Sequence, residues 1–87
     1  MTFQEITEQM VKTYVRKNKD YGNSFSKLYE DYGMTYPIIH LREKLNRIEA
    51  LSQTTQPSTG NEPIEDSLLD LANYAVMTLL ALKGEEK

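Results

Sequence analysis

The sequence predicts a small all-α bundle of three longer helices and one short one. Three observations carry this. Apolar residues recur at helical spacing in three separate segments. Capping residues stand where those segments begin, and glycines stand where helices must stop. The last segment concentrates the apolar content: 13 of the 19 residues from Ile64 to Leu82 are apolar, which calls for burial on most sides of a helix. Residues 1–87 are read as one helical domain, because 10.1 kDa leaves no room for a second core.

The first helix opens on Thr2 and Glu5, a capping box in which each side chain satisfies a backbone N–H of the other residue. Phe3, Ile6, Met10 and Tyr14 form its apolar stripe, widened by Val11 and Val15. Its end is expected near Asn18, ahead of Gly22. The segment Asp20-Tyr21-Gly22-Asn23-Ser24-Phe25 is echoed by Asp31-Tyr32-Gly33-Met34-Thr35-Tyr36, which reads as two similar helix junctions. Each has a glycine to end one helix and a Ser or Thr to cap the next. The short helix lies between them, with Phe25, Leu28, Tyr29 and Tyr32.

Thr35 is expected to cap the third helix, with Pro37 in its first turn. Ile38, Leu41, Leu45 and Ile48 give a 3-4-3 seam for packing against one neighbour. Residues 52–62 contain no apolar side chain and read as a polar loop. The last helix is expected from Asn61 or Glu62, through Pro63, to Lys83 before Gly84. No charge appears between Asp70 and Lys83. Three partner helices, one of them short, offer too little cover for it. Self-association through this helix, as a homo-oligomer, is the expectation.

Composition excludes several functions. Counting Gly and leaving out Tyr, as the usual average does, the apolar share is about 37%, against about 45–50% in ordinary domains, so a lone chain is marginal. The absence of Cys excludes a disulfide framework and a cysteine nucleophile, and a single His excludes a multi-histidine metal site. A net charge of −3 argues against a grip on long nucleic acid. No apolar run spans a membrane and the acidic N-terminus is no signal peptide, so a cytoplasmic address with no membrane partner is expected.

Two stripes could carry chemistry. His40, Lys44 and Arg47 share one face of the third helix; Asp66, Asp70 and Asn73 share one face of the last, at the same spacing. Arg42 lies on the other flank of the third helix. Antiparallel packing would set the stripes along a common edge. They then form an inter-helix salt-bridge network, or they bind a ligand. A ligand reading without metal has Arg42, Lys44 and Arg47 gripping phosphate, with tyrosines as stacking surface for a base. A ligand reading with metal has Asp66 and Asp70 holding Mg²⁺. Lys17, Lys19 and the N–H groups from Gly22 to Ser24 offer a further anion nest, with Tyr21 inside the block. His40 reads as a structural histidine and Tyr74 as a core-edge tyrosine that borders Asp70.

The blocks KNKDYGNSF (17–25), LREKLNRIEAL (41–51) and IEDSLLDLANYAVM (64–77) resemble the nucleotide-modification-associated helical domain found widely in phage proteins. The last block resembles, more weakly, the metal-binding helix of MazG-like all-α nucleoside triphosphate pyrophosphohydrolases. The residues themselves favour a small phosphorylated nucleotide bound without cofactor, and the phage origin that the first resemblance implies gives it a use in a host cytoplasm, to shape a nucleotide pool or to sequester a nucleotide signal used in host defence. The candidate ligand set is Lys19, Tyr21, Arg42, Lys44, Arg47, Asp66, Asp70, Asn73 and Tyr74. The second resemblance implies Mg²⁺-dependent hydrolysis through Asp66 and Asp70. Against it, Ser67 stands where that family's pair has a glutamate, and Arg42, Lys44 and Arg47 crowd the facing helix. A third reading, different in class, is a protein–protein interaction module that uses the apolar last helix.

Overall fold

The computed structural model describes residues 1–21, 24–53 and 62–84. It consists of four helices: α1 (Phe3–Tyr21), α2 (Ser24–Tyr32), α3 (Thr35–Ser52) and α4 (Glu62–Lys83), and no strand occurs among the described residues. This is the all-α bundle of three longer helices and a short one that the periodicity predicts.

The capping box of α1 forms as expected. Thr2 N–H donates to Glu5 Oε1 at 2.8 Å, and Glu5 N–H donates to Thr2 Oγ1 at 3.1 Å. The helix runs one turn past Asn18, to Tyr21. Gly22, the expected stop, lies outside the described residues, as do residues 54–61 of the polar loop. Of that loop, Ser52 belongs to α3 and Glu62 to α4.

The α2–α3 junction corrects one expectation. Gly33 takes φ +66° and ends α2, with its N–H on Tyr29 O at 2.7 Å. The cap of α3 is then Met34, already helical at φ −63°, and no side chain caps the helix. Thr35 is inside α3. The backbone closes the junction by itself, through Tyr36 N–H to Gly33 O at 3.2 Å and Ile38 N–H to Met34 O at 3.0 Å. Pro37, in the first turn, needs no N–H partner there and is buried.

α3 and α4 form the principal contact; α2 leans on both, and α1 touches α4 lightly. The register of α3 on α4 follows from three pairs: Arg47 with Ser67, Lys44 with Asp70, and His40 with Tyr74. Each step back along α3 is met by an equal step forward along α4, so the two are antiparallel. The contact face of α3 is therefore its polar stripe. The seam expected from Ile38, Leu41, Leu45 and Ile48 is turned away from it: Ile38 is 44% exposed and Leu45 49%, with Leu41 and Ile48 half-buried. Only Pro37, Ser67 and Thr78 are buried among the described residues. None of the described helices is long and apolar enough to cross a membrane.

The Gly33 turn gives a direct test. A Cβ there meets no atom within 4 Å, so Gly33→Ala adds backbone strain alone. It should destabilise the fold by about 1–2 kcal/mol in urea unfolding. Gly33→Asn should cost less, because asparagine enters the left-handed region more readily.

Candidate functional site

The polar pairs between α3 and α4 define the site. Arg47 Nε donates to Ser67 Oγ at 3.2 Å, and Ser67 is 3% exposed. One turn along, the Asp70 carboxylate is shared by two ammonium groups: Lys44 Nζ lies 3.3 Å from Oδ2 and Lys17 Nζ 3.5 Å from Oδ1. Lys17 comes from α1, so Asp70 ties three helices together. A turn further, His40 stacks on Tyr74 with ring centres 4.6 Å apart and planes within 15°.

Tyr74 and His40 belong to a closed circuit of four rings. Tyr36 meets His40 edge-on at 4.7 Å, Phe25 meets Tyr36 edge-on at 5.2 Å, and Phe25 reaches Tyr74 at 6.1 Å. Edge-to-face and offset contacts are the favoured geometries for such rings. Burial, with the phenol of Tyr74 nearby, pushes the Tyr36 pKa above its ordinary 10.0. His40 Nδ1 is buried and makes no hydrogen bond; Glu43 Oε1, one turn on, lies 3.9 Å away, beyond hydrogen-bond reach. The acid partner that sequence did not assign to His40 is thus Glu43, at pairing distance only.

Two cavities adjoin. The first, about 260 Å³, is walled by Tyr14, Phe25, Tyr36, Tyr74 and Met77, with Asn18, Ser24 and Asn73 adding polar edges and Lys17 beside Asp70. The second is an open cleft of about 990 Å³ along the α3–α4 hairpin, lined by Glu43, Lys44, Arg47, Asp66, Ser67 and Asp70 among others. Asp70 lines both. The first cavity therefore offers ring faces, amides and Lys17, the second offers Lys44 and Arg47 among carboxylates, and Asp70 is shared by both.

Residues 17–82 match the family model described as nucleotide modification associated domain 1. The chain belongs to that family. No curated protein and no solved structure matches it. Every residue lining the two cavities except Tyr14 falls inside the matched span.

Of the residues expected from sequence, Lys44, Arg47, Asp66 and Asp70 line the cleft, while Asp70, Asn73 and Tyr74 line the smaller, aromatic cavity. Arg42 and Lys19 are exposed and line neither. The side chain of Tyr21 lies outside the described residues, and so does most of the expected nest at Gly22 and Asn23. Sequence missed Tyr14, Phe25, Tyr36 and Met77 as site residues: Tyr14, Phe25 and Met77 read as part of apolar helix faces, and Tyr36 as part of a helix junction. The one available signal was six tyrosines in so short a chain.

The residues do not fit a Mg²⁺ centre. Asp70 carries a lysine on each oxygen, and Asp66, one turn earlier, is exposed. No group of three or more His, Cys, Asp or Glu among the described residues is placed to hold a metal ion. Hydrolysis on several metal ions needs converging carboxylates to offset their charge, and cations next to the pair oppose that.

Two measurements check this geometry. Ser67→Ala removes the acceptor of Arg47 and should cost on the order of 1 kcal/mol in chemical denaturation; Asp66→Ala, exposed one residue earlier, should stay within about 0.5 kcal/mol. Tyr36 ionises later than an ordinary tyrosine, so its stabilising contribution is complete below pH 10.0 and lost as pH rises through its raised value. In a spectrophotometric titration, Tyr36→Phe should remove a tyrosine step that lies above the ordinary 10.0.

Proposed function

We propose that the protein binds a small phosphorylated nucleotide, with its base in the aromatic cavity and its phosphate against Lys44, Arg47 and Lys17. The observation that carries this reading is the shared wall at Asp70: ring faces with Lys17 on one side and Lys44 with Arg47 on the other adjoin a single carboxylate. The family's link to nucleotide modification supports the ligand class.

The chemistry divides by cavity. About 260 Å³ is below the roughly 300–1,000 Å³ of drug-sized pockets, so it suits a base and leaves the phosphate outside. Tyr36 and Tyr74 supply faces for the base, and the Asn18 and Asn73 amides can each donate and accept along its edge. Arg47 offers a planar fork to phosphate oxygens, and the lysines act as point charges. Arg42 and Lys19 have no part in this arrangement.

Asp70 sets the sign of the decisive test. In the free protein it neutralises Lys17 and Lys44, and a phosphate must take its place on them. Asp70→Asn should therefore keep or strengthen nucleotide binding, whereas a hydrolase that uses Asp70 would lose all turnover. A nucleotide at a hundred times its Kd adds about 2.7 kcal/mol of stability, a rise in Tm on the order of 10 °C for a domain this small. A panel of mono-, di-, tri- and cyclic nucleotides, with and without Mg²⁺, should contain a ligand that gives that rise without Mg²⁺ and is recovered intact after heat denaturation. Lys44→Met should weaken it about tenfold and reduce its salt dependence. Tyr74→Leu should weaken the nucleotide while sparing inorganic pyrophosphate. A panel that leaves Tm unmoved, or pyrophosphate release lost in Asp70→Ala, would overturn the reading.

A further inference from the structure

The cavities occupy one side of α4, and the other side is bare. Leu68, Ala72, Ala75, Leu79 and Leu82 follow one another at 4-3-4-3 spacing, the seam of a two-helix contact. Leu68, Leu79 and Leu82 are 48%, 52% and 57% exposed, and Ala75 is exposed too. The side of α4 that meets α3 runs through Ser67, Asp70 and Tyr74, rotated from the bare seam by roughly a third of a turn at 100° per residue. Helical projection of the antiparallel hairpin puts Ile38 and Leu45 of α3 on the same side as this seam, and α1 with its Lys17–Asp70 contact on the opposite side. The hairpin thus has one face that carries the site and one that is apolar and uncovered.

We infer that the bare face is a dimer interface: a second copy of this chain packs on it with the two α4 helices antiparallel and a twofold axis at Ala75. The sequence of the seam selects this occupant and this direction. Antiparallel pairing about Ala75 sets Leu68 against Leu82 and Ala72 against Leu79, a large residue opposite a small one, while Ala75 meets its own copy at the point of closest approach. Parallel pairing would set Ala72 on Ala72 and leave a gap there. It would also align the helix dipoles. The antiparallel arrangement opposes them and carries Glu65, on the flank of the seam, toward Lys83 of the other copy. Such an interface is self-complementary and closes at two copies. Both nucleotide cavities then face outward, so this inference stands whether or not the proposed ligand binds.

The test uses light scattering and cysteine trapping, the latter clean because the chain has no cysteine. The native chain at micromolar concentration should have the mass of two chains, and Leu79→Glu the mass of one. On mild oxidation Ala75→Cys should link to itself. Leu68→Cys should link to Leu82→Cys when the two are mixed, and neither should link alone. These links decide the matter even if Leu79→Glu unfolds. A one-chain mass for the native protein would overturn the proposal, as would Leu68→Cys linking to itself.

Discussion

The contact between α3 and α4 is made by polar side chains in positions where a helical hairpin ordinarily places leucines, and the rest of the structure follows from that. Arg47 with Ser67, Lys44 with Asp70, and His40 with Tyr74 recur at three- and four-residue steps. Such pairs add little stability for the area they occupy. They do specify register: a slip of α3 by one turn would leave Arg47 Nε without its acceptor and put Lys44 beside Ser67 or Tyr74. The hairpin is therefore strongly directed and weakly held. Its apolar residues are left to find cover elsewhere, and its polar centre is left available to a ligand.

Much of this was legible in the sequence. Helix number and most boundaries followed from apolar spacing and from glycines, and the Thr2–Glu5 box formed as written. The cap at Thr35 did not, because Gly33 and Met34 already complete the turn through the backbone. The more instructive miss concerns α3. Spacing shows that Ile38 and Leu45 share one apolar face of α3, but it does not say what that face packs against. In one chain the obvious neighbour was α4, yet α4 meets the opposite, polar stripe of α3. The aromatic circuit was illegible for a different reason: Phe25, Tyr36 and Tyr74 come from three helices, and only the docking of α2 brings their rings together.

The light attachment of α1 has a similar origin. Its first turns are exposed, with Phe3 at 85%, and its approach to α4 is anchored by Lys17 on Asp70 and by Tyr14 and Asn18 at the aromatic cavity. An isolated helix of this length is marginal in water, so the capping box and the Asp70 contact carry a large share of its order. The Asp70 carboxylate thus has two duties: it holds α1 in place, and it neutralises two lysines, those of the proposed phosphate site.

The amphipathic reading of α4 resolves along the same lines. A helix apolar around most of its circumference usually signals a central position among several partners. Here the few polar residues, Ser67, Asp70, Asn73, Tyr74 and Thr78, gather on the side that meets α3 and the cavity, and Thr78 turns its hydroxyl back onto Tyr74 O at 2.7 Å. What remains is a continuous strip of leucine and alanine facing away from every helix of its own chain. The low overall apolar content and the oily last helix are therefore parts of one arrangement. The chain gives its interior to polar pairs and gathers its apolar residues on an outer face, where the proposed second copy would supply the core that a single copy lacks.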